Sequence, residues 1–188
     1  RLPFPSVSRD CPVYMPGGSW KGRFLKGRNG CMWDGPTWPY TNAIAIDALG
    51  RLSREARHAH DALFAKYLWK YVALHFHQQD GRTPYLVEHY DSASGEPISD
   101  EPDYNHSYFI DLVIRHVVGL EIGPSSTLRL DPVDIGLHQF EIDNLDVRGR
   151  RLSVRYARGE GFHLYVDGAE AASRPDLGPL EWDGLPAL

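Results

Sequence analysis

The feature that most constrains the fold is a change in the spacing of apolar residues near Gly123 and Pro124. Before this point, apolar residues recur every three or four positions, which is typical of amphipathic helices. After it, they alternate with polar residues, which is typical of half-buried strands. The sequence therefore predicts an α+β fold, with a helical part over residues 1–123 and a small antiparallel β domain over residues 124–188.

The helical part contains three predicted helices, over about residues 42–52, 54–78 and 106–120. The first two have apolar stripes, formed by Ile44, Ala45, Ala48, Leu49 and Leu52 in one and by Leu63, Tyr67, Tyr71 and Leu74 in the other. The short connection at Gly50 to Ser53 predicts that they pack as an antiparallel hairpin. Each amphipathic face needs a partner, so three helices cannot close an all-α domain, and we expect the chain to be a piece of a larger protein.

The predicted strands follow one another closely, and they contain Leu128 and Leu130; Phe140 and Ile142; Leu152, Val154 and Tyr156; and Phe162, Leu164 and Val166. Glycine, asparagine and aspartate lie between them, as expected for hairpin turns. The first forty residues, in contrast, are rich in glycine, proline and aromatic residues, and they predict a long structured surface loop.

Charge and cysteine content exclude several classes of protein. The chain has 25 acidic and 20 basic residues, so we expect no nucleic-acid partner. No apolar run approaches the ~18 residues of a membrane span, so we expect no membrane segment. Cys11 and Cys31 are too few for a zinc site or a disulfide scaffold, and they are consistent with one bridge or with two thiols. The chain lacks an initiator methionine, so we expect its native start to be missing.

The first candidate site is the run from Trp33 to Tyr40, which precedes a predicted helix. Sugars present flat patches of C–H groups rimmed by hydroxyls, so their sites combine aromatic faces with carboxylates or amides. The run supplies Trp33, Trp38 and the carboxylate of Asp34. The alternative is structural, with Trp38 and Tyr40 acting as a hydrophobic staple for the helix.

The second candidate site is a carboxylate-rich segment from Glu88 to His106. Glycoside hydrolysis uses two carboxyl groups, one as an acid and the other as a base or nucleophile. Glu101 and Asp103 precede a predicted helix, whose dipole stabilises a carboxylate and so favours a base. The alternative is that Asp103 or Asn105 caps the helix and the other acids are solvated.

Metal and cofactor sites are not predicted. The pairs His58 with His60 and His75 with His77 are two residues apart, which places their side chains on different faces of a helix. The sequence also lacks a phosphate-binding loop and a nucleophile elbow. We therefore expect neither a metal nor another cofactor.

The two candidate sites, in this order and with a helical hairpin between them, resemble the six-hairpin glycosidases, which include trehalases and mannosyl-oligosaccharide glucosidases. Those families have a Trp-x-Gly-Pro-x-Trp motif before a barrel helix, matched here by residues 33–38. They also have a Glu-Lys-Tyr-Asp stretch and a later Glu-Gly-Phe-Gly-Trp. Here the corresponding segments are Glu88-His89-Tyr90-Asp91 and Glu101-Pro102-Asp103-Tyr104-Asn105-His106. The second segment departs from the family pattern in two ways: Tyr104-Asn105-His106 replaces Phe-Gly-Trp, and one residue is inserted between the acid and the aromatic residue.

The resemblance implies that residues 1–123 form the C-terminal part of an (α/α)6 barrel with long active-site loops, in an inverting glycoside hydrolase. It implies that Glu101 or Asp103 is the catalytic base, with the general acid in an earlier hairpin absent from this chain. The implied partners are a carbohydrate substrate and the missing N-terminal part of the barrel. The implied substrate-binding residues are Trp33, Asp34, Trp38, Tyr40, Glu88, Tyr104 and His106.

Two other interpretations remain open at this stage. Without the general acid, the chain is also consistent with a non-catalytic carbohydrate-binding or structural fragment. A relative of the α-L-rhamnosidases or of the glycogen-debranching enzymes would share the barrel and differ in substrate. The sequence leaves the sugar, the linkage and the cellular compartment open.

Overall fold

A computed structural model describes residues 3–19, 32–76, 80–99 and 108–186. The helices are α1 (Pro39–Glu55), α2 (Asp61–Leu74) and α3 (Phe109–Leu112), and α3 continues into a π-helical turn (Val113–Val117). The strands are β1 (Leu120–Ile122), β2 (Thr127–Leu130), β3 (Gln139–Val147), β4 (Arg150–Ala157), β5 (Gly161–Val166), β6 (Ala169–Arg174) and β7 (Leu180–Asp183). Helices followed by antiparallel sheets confirm the predicted α+β class.

The chain divides into two compact units. The first contains Arg1–Ala48 and Lys66–Phe109, and the second contains Leu49–Ala65 and Ile110–Leu188. The division of the chain into a barrel portion and a β domain near residue 123 stays a prediction.

The first unit consists of helical segments and long loops. Residues 3–19 and 32–36 contain turns and bends without helix or strand, as predicted for the start of the chain. Within this unit, the hydroxyl of Tyr71 on α2 donates a hydrogen bond to the carbonyl of Pro39 on α1, at 3.2 Å. The end of α2 therefore lies beside the start of α1, as expected for an antiparallel hairpin.

Helix α1 runs through the predicted connection at Gly50 to Ser53, so this boundary was wrong. The actual connection is the turn at residues 56–60. Packing explains the glycine at position 50, because a Cβ there would overlap the imidazole ring of His116. Both residues belong to the second unit. The new turn is fixed by His58, whose two ring nitrogens lie 3.1 Å from a carboxylate oxygen of Asp61 and 3.0 Å from one of Asp131.

The apolar stripe predicted for α1 is largely exposed rather than part of the core. Ile44 and Leu52 are 51% and 47% exposed, and Ala48 between them is also exposed. The buried side of the helix has smaller and more polar residues, namely Asn42, Ala43, Ile46, Gly50 and Ser53. The most apolar face of α1 is therefore one that the described residues do not cover.

Helix α2 begins at Asp61, later than the predicted residue 54, because residues 56–60 form the turn. Its buried residues are Phe64, Leu68, Tyr71 and Leu74. Tyr71 and Leu74 belong to the predicted stripe, whereas Leu63 is 41% exposed. The core face is therefore rotated from the predicted one, toward Phe64 and Leu68.

The third helix is shorter than predicted at its end. The Val118 amide donates to the carbonyl of Val113 at 2.9 Å, which closes the π-helical turn. Gly119 then adopts φ +78° and ends the helix. A Cβ at Gly119 would overlap the backbone at Asp131 and Pro132, so only glycine fits this close approach. Leu120, predicted as the last helical residue, begins β1 instead.

The second unit contains two antiparallel sheets with strand orders β1-β2-β7 and β3-β4-β5-β6. Its buried core includes the inward-facing residues of the strands, namely Leu128, Leu130, Leu152, Val154, Phe162, Leu164 and Val166. The four predicted strands are confirmed as β2, β3, β4 and β5. Strands β1, β6 and β7 were not predicted, and β6 (Ala-Glu-Ala-Ala-Ser-Arg) has few residues that favour strands. Among the described helices, none combines the length and apolarity needed to cross a bilayer.

Candidate functional site

The tryptophan loop, residues 32–38, contains two stacked indole rings. The rings of Trp33 and Trp38 lie 4.3 Å apart with planes only 3° from parallel. Trp38 is buried, and its indole N–H donates to the carbonyl of Met32 at 2.8 Å. Trp33 is 51% exposed. The loop therefore presents a flat aromatic surface that is supported from within the unit.

A third ring extends this stack. His89 is fully buried, and its imidazole lies 4.6 Å from the Trp38 ring, at an angle of 19°. Glu88, the preceding residue, is only 18% exposed and places Oε2 3.6 Å from Nδ1 of His89. The structure thus brings Trp33 and Trp38 together with the neighbour of Glu88, so the first candidate site meets the start of the second.

Backbone pairing joins these two segments directly. Thr37 and Tyr90 exchange two backbone hydrogen bonds, each 2.9 Å long. The Tyr90 hydroxyl accepts a hydrogen bond from the Val87 amide at 3.1 Å and donates one to the carbonyl of Tyr85 at 3.2 Å. Burial raises the pKa of Tyr90 to about 12, and the two hydrogen bonds give this hydroxyl a structural role.

The start of α1 fixes the position of Trp38. Pro39 occupies the first helical position, which suits its fixed φ and its missing N–H group. The carbonyl of Trp38 accepts hydrogen bonds from the Asn42 side chain at 2.8 Å and from the Thr41 hydroxyl at 3.2 Å. Asn42 also exchanges two hydrogen bonds with the backbone of Phe4, so one buried amide joins three chain segments.

Asp34 helps to fold the loop. Its Oδ2 accepts a hydrogen bond from the Ser19 amide at 2.9 Å, and its backbone carbonyl accepts one from the Met15 amide at 2.8 Å. Gly35 packs against the same segment so closely that a Cβ would overlap the carbonyl of Met15. The predicted sugar-binding carboxylate therefore has a second role, because it holds residues 15–19 against the tryptophan loop.

Tyr40 lies one residue inside α1 and is 39% exposed. Its ring is 5.8 Å from that of Tyr108, which is itself 50% exposed and has φ +47°. Tyr108 is the residue that follows the acidic segment 100–107 in the sequence. Two exposed tyrosines therefore lie beside each other at the start of α1.

Four predicted site residues, Glu101, Asp103, Tyr104 and His106, lie outside the described residues, as do Cys31 and His77. Of the other acids in the second candidate site, Asp91 forms a local turn, because its Oδ1 accepts from the amides of Ala93 and Ser94 at 2.8 and 2.9 Å. Among residues 3–19, 32–76, 80–99 and 108–186, no group of three potential ligands could hold a metal ion.

The sequence patterns indicate no role for His89. They also do not reveal a polar cluster that joins the N-terminal segment to the carboxylate-rich segment. In this cluster the Arg9 guanidinium donates to the Tyr14 hydroxyl and to the Ser92 carbonyl, at 2.8 and 2.9 Å. The hydroxyls of Tyr14 and Ser92 are 2.8 Å apart. No local pattern indicates such contacts, because the partners are about eighty residues apart in the sequence.

Residues 1–107 match the family model described as the Mannosylglycerate hydrolase MGH1-like glycoside hydrolase domain. A search of curated proteins gives no match. Among solved structures, the chain is similar to one titled "Sialidase", with a TM-score of 0.77 and 23% identity over 96% of this chain. The chain spans 17% of that protein's length, and the likeness concerns the fold alone. Because the family model matches more than half of the 188 residues, this chain belongs to the MGH1-like glycoside hydrolase domain family.

Proposed function

We propose that the whole protein is a glycosidase, and that this chain contributes a sugar-binding platform and the catalytic base to its active site. The observation that carries the proposal is the supported stack of Trp33, Trp38 and His89. A half-exposed indole held flat by two buried rings loses little freedom when a sugar stacks on it. Hydrogen bonds between Thr37 and Tyr90 hold the start of the carboxylate-rich segment, at Glu88 to Asp91, beside this platform.

In the proposed reaction, Glu101 or Asp103 accepts a proton from a water molecule, and that water attacks the anomeric carbon. The bond to the leaving oxygen breaks as a general acid, supplied by a part of the protein beyond this chain, protonates it. In an inverting enzyme the two carboxyl groups lie ~6.5 to 9.5 Å apart, which leaves room for the water. The sugar hydroxyls would be oriented by the remaining proposed binding residues, which are Asp34, Tyr40, Glu88, Tyr104 and His106.

The proposed partner is a further helical segment that completes an (α/α)6 barrel. The exposed stripe on α1, formed by Ile44, Ala48 and Leu52, supports this proposal. These residues repeat every four positions, so they form one apolar line along the helix. An apolar line on the side of a helix opposite its buried face needs a further neighbour, and another barrel helix would supply it.

For the substrate we propose a neutral or acidic glycoside recognised through a stacked pyranose ring. The name of the matching family makes mannosylglycerate the first compound to assay. The resemblance of residues 33–38 to the trehalase and mannosyl-oligosaccharide glucosidase signature adds trehalose and glucosylated oligosaccharides to the panel.

Base variants in the full-length protein test the reaction. We expect Glu101→Gln or Asp103→Asn to reduce kcat by at least ~100-fold, because removing a general base removes a contribution of this size. Whichever of these two residues is not the base should keep near wild-type kcat when it is changed. Glu96→Gln, which changes an exposed acid of the same segment, should also keep it. If both Glu101→Gln and Asp103→Asn keep near wild-type turnover, the base lies elsewhere.

The aromatic platform has a matched control. Trp33→Ala should raise KM roughly tenfold through loss of about 1.4 kcal/mol of stacking. Trp69→Ala removes an indole of similar exposure, 46%, from α2 and should leave KM unchanged. Equal effects of the two substitutions would contradict the platform. The 188-residue chain alone should bind the sugar without turnover, since the proposed acid is absent from it.

A further inference from the structure

The second unit contains a cleft that plays no part in the proposed reaction. It has a volume of about 460 Å³ and lies against β3, β4, β5 and the turn between β4 and β5. Its lining includes Glu141, Arg155, Tyr156, Glu160, His163 and Tyr165. All of these residues belong to the second unit, so the cleft is complete within it.

The strand register explains why a hollow forms at this place. Glu141, Arg155 and His163 are directly paired across β3, β4 and β5, so three long side chains stand in one row. Two residues further along, Ala157 pairs with Gly161. A Cβ at Gly161 would lie 2.7 Å from the carbonyl oxygen of Arg174 and 2.9 Å from the His163 ring, which explains the glycine. The small residues therefore leave open space beside a tall polar row.

The polar groups of this row are held in place without any ligand. Nε of Arg155 lies 2.6 Å from Glu141, and its guanidinium lies over the Tyr165 ring, 5.3 Å from the centroid. The rings of His163 and Tyr165 are 6.3 Å apart, with planes at 25°. Nδ1 of His163 lies 3.1 Å from Glu170. Side chains fixed in advance lose little conformational entropy when a ligand binds.

The charges of the cleft disfavour an anionic ligand. Arg155 is flanked by Glu141 and by Asp143 at 3.7 Å, and the cleft also contains Glu160. A hydrogen bond from the Ser153 hydroxyl is the largest cause that lowers the pKa of Asp143, and this carboxylate adds to the negative charge around Arg155. An anion would meet these carboxylates, whereas an uncharged ligand meets no like charge.

We infer that this cleft is a second carbohydrate site, which binds a neutral oligosaccharide without cleaving it. Hydroxyl groups donate to carboxylates and accept from a guanidinium, so a neutral sugar satisfies both kinds of group in the row. The rings of His163 and Tyr165 also line the cleft and add apolar surface, although Arg155 covers one face of the Tyr165 ring. The inference is independent of the proposed active site, because no residue of the tryptophan loop takes part.

The test is a titration of the ¹⁵N-labelled 188-residue chain, followed by amide chemical shifts. The probes are mannotetraose, maltotetraose and cellotetraose, with a sulfated tetrasaccharide and a tetralysine peptide as charged alternatives. At least one neutral probe should shift the amides of β3, β4 and β5 around the cleft, with a millimolar or lower Kd.

Variants locate the binding. Arg155→Ala and Glu141→Gln should each weaken binding roughly tenfold or more, since each removes a charged hydrogen-bonding partner. Arg151→Ala removes an exposed arginine from the same face of β4 and should leave Kd unchanged. Trp33→Ala should likewise leave the shifts around the cleft unchanged. If Arg155→Ala unfolds the chain, Glu141→Gln decides.

Three results would overturn the inference. The first is that no neutral probe at about 10 mM shifts the amides around the cleft. The second is that only the sulfated sugar or the tetralysine peptide binds. The third is that wild type and Glu141→Gln have equal Kd values.

Discussion

Tyr90 holds the segment 85–91 together, and Tyr90→Phe isolates the contribution of its hydroxyl. The ring is 2% exposed, and phenylalanine keeps its shape, so packing is preserved. The substitution removes the acceptor of the Val87 amide and the donor to the Tyr85 carbonyl. Val87 is fully buried, so its amide is left without this partner in a place where water does not replace it.

The expected loss follows from these two hydrogen bonds. A buried donor left unsatisfied costs about 1 to 3 kcal/mol, and the lost bond to Tyr85 adds about 0.5 to 1 kcal/mol. We therefore expect Tyr90→Phe to lower the free energy of unfolding by about 1.5 to 4 kcal/mol. For a chain of 188 residues, each kcal/mol corresponds to about 2 to 4 °C in Tm.

Alkaline pH provides a second, independent measure of the same hydroxyl. The pKa of Tyr90 is raised from 10.0 to about 12 by burial, so the folded state keeps a proton that the unfolded state loses above pH 10. The stability that this group contributes is fully present below pH 10 and declines as the pH rises toward 12. Wild type should therefore lose about 1.4 kcal/mol more than Tyr90→Phe between pH 9 and pH 11.

Urea unfolding at several pH values between 7 and 11, followed by circular dichroism, measures both effects. Tyr67→Phe, a change at a partly exposed tyrosine on α2, is the control and should shift stability by less than about 0.5 kcal/mol. A constant difference between wild type and Tyr90→Phe across this pH range would refute the assignment of the raised pKa. A difference below about 0.5 kcal/mol at pH 7 would refute the structural role of the hydroxyl.

Two further predictions concern the same unit. Burial lowers the pKa of His75 below 6.5, so on acidification the unfolded state binds this proton at a higher pH than the folded state does. The stability that neutral His75 contributes should be fully present above about pH 6.5 and decrease as the pH falls. In urea titrations from pH 7.5 to 4.5, His75→Gln should flatten this decrease. Gly35→Ala should lower the free energy of unfolding by about 1 to 3 kcal/mol, because its Cβ overlaps the neighbouring backbone, whereas Gly123→Ala, where no atom lies within 4 Å, should change it little. Equal effects of the two glycine substitutions would contradict the packing explanation.

The sequence predicted those elements whose periodicity reflects local burial. Strands β4 and β5 alternate cleanly, because one face packs on the core, and they were predicted correctly. The core face of α1 was not predicted, because its buried residues are smaller and more polar than the apolar stripe, which is the stronger signal in the sequence. Gly50 was interpreted as the end of the helix, yet its role is to make room for a ring 66 positions later.

The candidate site shows the same division. The tryptophan loop was predicted as aromatic and well ordered, since its residue types alone indicate this. Its pairing with Tyr90 and the insertion of His89 beneath Trp38 depend on contacts about fifty residues apart, which no spacing rule reveals. Roles of individual residues in sugar binding and in proton transfer stay predictions.

The near-parallel arrangement of Trp33 and Trp38 also makes the loop observable by optical methods. Two indoles whose centroids are 4.3 Å apart are close enough for their excited states to couple. Trp33 faces solvent and Trp38 is buried, so a molecule that binds on the Trp33 ring changes the polarity around that chromophore alone. Fluorescence and near-ultraviolet dichroism can therefore report on occupancy of the loop without any attached label.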